Sequence, residues 1–277
     1  MKRAGVMGWP VEHSRSPLLH GFWLKEHGID GEYVLLPVRP GELALSLRGL
    51  AARGFAGCNL TIPHKGAALA IVDEVDAIAA RIGAVNTVVV RPDGTLEGRN
   101  TDAFGFYSNL KTTLPGWGAD AGPAVVLGAG GGARAVVAAL LDNGAAEIRL
   151  VNRHRDRAVA LAAALDGPIE AVDWARRADA LAGAALLVNT TSLGMTGQPP
   201  LDLALDALPK AALVNDIVYA PLETPLLAAA RRRGNPVVDG LGMLLHQARP
   251  AFAAWFGVMP EVTPALRQAM VASLVSR

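Results

Sequence analysis

Along most of the chain, short runs of branched apolar residues alternate with longer Ala- and Leu-rich stretches whose apolar positions recur at helical spacing. That alternation predicts an α/β protein with largely parallel sheets. In the first part, strands are expected at "KRAGVMG" (2–8), "EYVLLPV" (32–38), "AGCNLTI" (56–62) and "AVNTVVVRPDGTLEGRN" (84–100), the last a hairpin around Pro92-Asp93-Gly94. Helices fit "SPLLHGFWLKEHG" (16–28), "PGELALSLRGLAARG" (40–54), "HKGAALAIVD" (64–73) and residues 103–111. The stretch "TTLPGWGADAGP" (112–123) collects Pro, Gly and polar residues and predicts a connection between domains. The alternation then restarts as strand "AVVLGAGG", helix "ARAVVAALLDNG", strand "EIRLVNR", helix "RDRAVALAAAL" and strands "LLVNTTS" and "LVNDIVY". Past residue 240 the pattern is purely helical, over 241–257 and 263–276, and these helices are expected to return to the first domain. The expected division is therefore residues 1–111 completed by 241–277, and residues 112–240.

Composition narrows the picture. With 277 residues, 51% hydrophobic and 18% charged, the chain can bury two ordinary cores and is not a disordered sequence. A net charge of +1 with scattered arginines gives no field that would draw in nucleic acid. The opening "MKRAGVMGWPVEHS" breaks at Gly8 and Pro10 before any apolar run long enough for a signal sequence or membrane span, so a soluble, cytoplasmic protein with no membrane partner is expected. The single cysteine, Cys58, excludes an intrachain disulfide and a multi-cysteine zinc site; it is expected to be a buried apolar filler, and no metal is expected.

The clearest chemical signal is Gly128-Ala129-Gly130-Gly131-Gly132-Ala133, a G-x-G-x-x-A match between a predicted strand and a predicted helix. Gly128 suits the tight turn, Gly130 the close approach of backbone to a pyrophosphate, and Ala133 the packing of helix on strand; the helix N-terminus then faces the anion. Residues 112–240 are thus expected to be a Rossmann-type dinucleotide-binding domain. About twenty residues on, an NAD site would present Asp or Glu to the ribose hydroxyls. Here stands "NRHRDR" (152–157). Asn152 can bond a ribose oxygen, and Arg153, Arg155 and Arg157 can surround a 2′-phosphate, which points to NADP. Arg153 lies nearest the strand end, and Arg155 is the one expected to face solvent. A solvated basic helix start is the alternative reading of the same residues.

In the first domain, "NLTIPHK" (59–65) ends on a lysine in a chain with five lysines against twenty-one arginines. An ammonium can be tuned to release and recover a proton, whereas a guanidinium keeps its own. If a helix starts at Lys65, its positive end favours the neutral amine, while Asp102 nearby would favour the ammonium. Ser14 and Ser16 put two hydroxyls on alternate positions before Pro17; they could hold a carboxylate, or Ser16 could be an N-cap. His13 and His20 fit core or cap positions, and Asp102 could cap the helix that follows it.

Together these stretches resemble the shikimate dehydrogenase family over essentially the full length. The motifs are "GWPVEHSRSP" (8–17), "NLTIPHK" (59–65), "GAVNT" (83–87), "NTDAFG" (100–105), "GAGGGAR" (128–134), "NRHRDR" (152–157), "NTTSLGM" (189–195), "NDIVY" (215–219) and "DGLGMLLHQA" (239–248). The resemblance implies a substrate-binding and catalytic first domain and NADP(H)-linked interconversion of 3-dehydroshikimate and shikimate, in the route to aromatic amino acids. It implies Lys65 as general acid and base assisted by Asp102, and shikimate contacts at Ser14, Ser16, Thr61, Lys65, Asn86, Asp102, Tyr219 and Gln247. It implies NADP contacts at Gly128, Ala129, Gly130, Gly131, Gly132, Asn152, Arg153, Arg157, Ile217 and Gly240. Two positions depart from the usual pattern: Gly21 stands where Asn is common, and His154 where Thr is common. His154 leaves one adenosine-phosphate contact open between stacking and hydrogen bonding. Relatives that also oxidise quinate or accept NAD, and a non-catalytic regulator that binds NADP or shikimate, are the alternatives; a homodimer is left open.

Overall fold

The computed structural model describes residues 1–275. The chain forms two compact units, residues 1–101 with the stretch from Gln247 onward, and Asp102–His246. The first unit contains β1 (Lys2–Gly8), α1 (Ser16–Glu26), β2 (Gly31–Pro37), α2 (Leu43–Arg48), β3 (Phe55–Leu60), β4 (Glu74–Val75), α3 (Ala77–Ile82), β5 (Thr87–Val90) and β6 (Leu96–Arg99). The second contains α4 (Asp102–Thr113), β7 (Ala124–Leu127), α5 (Gly131–Asp142), β8 (Ile148–Asn152), α6 (Arg155–Leu165), β9 (Ile169–Asp173), β10 (Leu186–Asn189), β11 (Leu213–Asp216), α7 (Pro225–Arg233) and β12 (Val237–Val238). The division falls inside α8 (Leu241–Phe256), and α9 (Pro264–Val275) lies in the first unit. The expected last helix ran to Ser276, which lies outside the described residues. Because α4 packs along α5, it belongs to the second unit, and the first division comes after Thr101, ahead of the Pro- and Gly-rich stretch 112–123.

The first sheet runs β2-β1-β3-β5-β6-β4. It is mixed: β1 pairs in parallel with β2 and β3, whereas β3 with β5 and β5 with β6 are antiparallel. With β4 and β6 also parallel, three of its five pairings are parallel, and the expected hairpin supplies one of the two antiparallel ones. Asp93 accepts from the Thr95 N–H at 2.9 Å and Gly94 takes φ +84°, so the chain reverses in a tight hairpin between β5 and β6. Strand direction alternates from β3 through β6. The C-terminal ends of β1, β3 and β6 and the N-terminal end of β5 therefore share one edge of the sheet.

The expected helix over 64–73 is also corrected: only a 3-10 turn forms, at Ala67–Ala70. The backbone carbonyl of Lys65 is taken by the Val85 N–H at 2.8 Å, and the His64 imidazole is buried within 2.7 Å of the Val38 carbonyl. A tertiary bond thus uses the Lys65 carbonyl that a regular first helical turn would need. Lys65 consequently stands at no α-helix N-terminus, and the argument from a positive helix end falls away. The pattern reading passed over α3, α7, β4, β9 and β12. Helix α3 carries end signals, Asp76 accepting from the Ala79 N–H at 2.6 Å and Gly83 at φ +73°, but spans only six residues.

An aromatic cluster forms the core between α1 and α8. His20 stacks on Tyr33 at 4.0 Å and 3°, with Trp23, Phe252 and Trp255 around it. Trp255 donates to the Val88 carbonyl and Trp23 to the Glu261 carbonyl, both at 3.0 Å, which fastens the C-terminal segment to the first unit. Cys58 is fully buried here, as its apolar role requires. His20 is fully buried, and neither ring nitrogen has a hydrogen-bond partner. Burial pushes its pKa down to about 3, an effect only partly offset by the nearby Asn59 amide. The neutral ring's contribution is therefore complete above the unfolded value near 6.5 and is lost as pH falls through the folded value. The melting temperature should fall on acidification from pH 6.5 towards 4, and His20→Phe should fall less steeply; parallel curves in pH-dependent thermal denaturation would contradict this.

The second sheet runs β12-β11-β10-β7-β8-β9 with every pairing parallel. Numbered from β7, that is the order 3-2-1-4-5-6 of the doubly wound dinucleotide fold, with its switch point between β7 and β10. Its strands are apolar on both faces, β7, β10 and β11 being buried throughout, as a sheet covered on two sides demands.

Candidate active site

In the first unit, the shared sheet edge gathers most of the predicted substrate residues. Ser14 and Ser16 follow β1, Thr61 and Lys65 follow β3, and Asn86 immediately precedes β5. The Thr61 N–H donates to the Met7 carbonyl at 2.9 Å, and the Leu60 N–H to the Asn86 carbonyl at 2.8 Å, so these loops are tied to one another. Ser14, Ser16, Thr61, Lys65 and Gln247 are half-buried, while Asn86 is 2% exposed. Ser16 is not an N-cap. It is the first helical residue, and its N–H donates to the Ser14 hydroxyl at 3.3 Å, so the Ser14 side chain satisfies one of the free N–H groups of the first turn.

Behind them lies a buried polar network. The Asn86 amide donates to the Thr101 hydroxyl at 3.0 Å and to Gln247 Oε1 at 3.3 Å; its oxygen accepts from the Thr101 N–H at 2.9 Å and the Thr87 hydroxyl at 3.0 Å. Asn59 donates to the Asn86 carbonyl and to Thr87, and accepts from the Tyr33 hydroxyl at 2.7 Å. Burial holds the Tyr33 phenol well above its usual pKa, so it serves as a neutral donor. Uncharged groups so ordered suit a small polyhydroxylated ligand, whose hydroxyls both donate and accept. Asn59, Thr87 and Thr101 were missed as members of this network, because the pairing of β5 with β3 and with β6 that joins them is not a local feature.

In the second unit, the predicted cofactor residues lie at or after C-terminal strand ends. Gly128 has φ +108°, and a Cβ there would lie 2.6 Å from Thr190 Oγ1, so only glycine fits. Gly130 precedes α5 with no side-chain cap, and around Gly130 and Gly131 a Cβ would meet nothing within 4 Å. Open space before an uncapped helix N-terminus is what a pyrophosphate needs. Ala129 is half-buried beside them, and Gly132 packs against Ile217, at 2.7 Å from where its Cβ would be. Gly240 lies against the Ile217 backbone, which leaves no room for a side chain.

After β8, the Asn152 amide donates to the His154 carbonyl at 2.9 Å, which shapes the turn that presents Arg153, His154 and Arg157 to solvent. Arg155 faces Asp173 at 4.0 Å, both exposed. Asp102 is the first residue of α4 and 8% exposed, and Tyr219 is half-buried after β11. These two belong to the second unit, the remaining predicted substrate residues to the first. Among the described residues there is no metal-binding cluster, and no helix is long and apolar enough to cross a membrane.

The sheet order, the glycine turn at the switch point and the arginines after the second strand define a dinucleotide-binding α/β protein with a second, mixed-sheet unit. Residues 6–88 match the family model of the shikimate dehydrogenase substrate binding domain, residues 118–195 that of shikimate/quinate 5-dehydrogenase, and residues 240–270 that of the shikimate 5′-dehydrogenase C-terminal domain. The NADP(+) shikimate dehydrogenase of Paramagnetospirillum magneticum is 64% identical over 264 residues, covering 95% of this chain and 96% of the relative. That of Rhodospirillum rubrum is 61% identical over 272 residues, covering 97% and 96%. Among solved structures, shikimate 5-dehydrogenase from Thermus thermophilus, in complex with NADP(H) and shikimate, is 39% identical at a TM-score of 0.87, covering 99% of this chain and all of that one. Quinate dehydrogenase from Corynebacterium glutamicum, in complex with NAD, is 32% identical at a TM-score of 0.91, covering 98% and 100%. The chain belongs to the shikimate dehydrogenase family.

Proposed function

We propose that this enzyme interconverts 3-dehydroshikimate and shikimate with NADP(H), in the cytoplasm, within aromatic amino acid biosynthesis. The observation that carries the reading is the single sheet edge of the first unit, whose loops carry Ser14, Ser16, Thr61 and Lys65 together with Asn86, bonded to Gln247. Ser14 and Ser16, with Tyr219 of the second unit, take the substrate carboxylate through hydroxyl donors. Thr61, Asn86 and Gln247 take ring hydroxyls, and their prior ordering lowers the cost of binding. In the second unit, the turn Gly128–Gly132 holds the pyrophosphate, Ile217 and Gly240 line the nicotinamide side, and Asn152, Arg153, His154 and Arg157 hold the adenosine ribose and its 2′-phosphate.

NADPH supplies the hydride when bound. Lys65 donates a proton to the C3 oxygen as the ketone becomes an alcohol, and recovers one from solvent afterwards. In the oxidative direction its neutral amine takes the hydroxyl proton. Asp102 accepts from the same substrate hydroxyl and orients the ammonium. No step needs a second copy of the chain.

Following absorbance at 340 nm over a panel of shikimate, quinate, NADP and NAD tests the reading. Turnover is expected with shikimate and NADP. Absence of turnover with both shikimate and quinate would sink the enzymatic reading, and a preference for quinate would reassign the substrate.

A further inference from the structure

Three polar side chains of the second unit are completely buried in one knot: Asn189 at the end of β10, Asp216 at the end of β11 and Thr224 ahead of α7. Asp216 Oδ1 accepts from the Asn189 amide and from the Val218 N–H, each at 3.0 Å, and Oδ2 accepts from the Thr224 hydroxyl at 2.7 Å. All three partners are neutral. Burial lifts the Asp216 pKa above the usual carboxylate range, and the three bonds hold it back only in part. Such a group is costly to bury, and an apolar residue would fill the space more cheaply.

What the knot fixes is the pair of loops beside the glycine turn. Asn189 accepts from the Thr191 N–H at 3.1 Å and from its hydroxyl at 2.7 Å, and donates to the Leu193 carbonyl, which sets the path after β10. The Asn189 carbonyl accepts from the Ile217 N–H at 3.0 Å. Thr190 in the first loop donates to the Leu127 carbonyl at 2.6 Å and walls Gly128; Ile217 in the second walls Gly132. Thr224 accepts from the Leu227 N–H at 3.3 Å, which anchors the knot to α7.

We propose that Asn189, Asp216 and Thr224 are positioning residues for the dinucleotide: by holding Thr190 and Ile217 against the turn 128–132, they set the affinity for NADP more than that for shikimate, which draws on this loop only through Tyr219. The inference rests on the reading of that turn as the NADP site.

Thr224→Val deletes the hydroxyl at constant shape, removing both its bond to Asp216 and its cap on α7, and Thr224→Ser keeps both. Calorimetric titration of the full-length chain with NADP should show Kd raised about tenfold in Thr224→Val, the size of one lost bond to a charged acceptor. Thr224→Ser should stay within about threefold, and KM for shikimate, which depends on this loop only through Tyr219, should rise by no more than about threefold in both. A folded Thr224→Val with wild-type NADP affinity overturns the proposal, as does equal weakening towards NADP and shikimate, or a serine variant as impaired as the valine one. Should Thr224→Val not fold, Thr191→Val removes the hydroxyl that orients Asn189, and unchanged NADP affinity there overturns the proposal equally. Wild-type protein that failed to bind NADP would overturn the reading of the turn, and the inference with it.

Discussion

Lys65→Ala should lower kcat by roughly 10²- to 10⁴-fold, the range of general acid–base catalysis, while Kd for shikimate and NADP stays within about an order of magnitude of wild type. The bond from the Val85 N–H to the Lys65 backbone carbonyl survives the substitution, because alanine retains that carbonyl. Shikimate binding is distributed over Ser14, Ser16, Thr61, Asn86, Tyr219 and Gln247, so one lost side chain weakens it modestly. Few groups can move the C3 proton. Lys65→Arg should rescue little, since a guanidinium stays protonated and cannot act as the base in the oxidative direction. Steady-state kinetics of both variants across pH, with calorimetry for binding, separates the roles. Near-normal kcat in Lys65→Arg would make Lys65 an electrostatic anchor and shift proton transfer to Asp102 or water; a sharply raised Kd with kcat intact in Lys65→Ala would make it a binding residue.

The structure changes the basis of that argument. The sequence "PHKGAALAIV" suggested a helix whose positive end would act on Lys65, and the carbonyl bond from Val85 together with buried His64 replaces it with a short 3-10 turn. No local pattern could announce this, because Val85 lies twenty residues along the chain and meets Lys65 only once β3 and β5 have paired. What was legible locally followed from fixed spacing: the glycine turn after β7, the arginines after β8 and the serines after β1 each lie next to the strand that positions them. Strand direction was legible only where a turn dictated it. The Pro92-Asp93-Gly94 turn announced the β5–β6 hairpin, yet the reversal between β3 and β5 carried no such mark. The buried networks were least legible. Asn59, Thr87 and Thr101 come from three strand ends, and Asn189, Asp216 and Thr224 from two strand ends and a helix start, so each set exists only after the chain has folded.

Arg153→Ala should weaken NADP binding by about 10- to 100-fold and leave NAD binding unchanged, since a hydrogen bond to a charged group is worth about 1.5–3 kcal/mol and NAD has no 2′-phosphate to lose. The turn between β8 and α6 explains why Arg153 should dominate. The bond from the Asn152 amide to the His154 carbonyl fixes the backbone on either side of Arg153, so its guanidinium starts from an ordered base. Arg155 already faces the Asp173 carboxylate at 4.0 Å and offers less net charge to a phosphate. Arg157 lies within α6, and Arg157→Ala should show a smaller effect of the same sign. His154, in the place where a threonine is common, precedes α6 without capping it, so its imidazole is not committed to the helix. Because Arg153 and Arg157 are exposed, their attraction for the phosphate is open to screening, and the preference for NADP over NAD should shrink as ionic strength rises. Titrating wild type, Arg153→Ala and Arg157→Ala with both dinucleotides at two salt concentrations reads all of these effects together. Equal losses for NADP and NAD in Arg153→Ala would mean that Arg153 supports the turn itself and does not contact the phosphate.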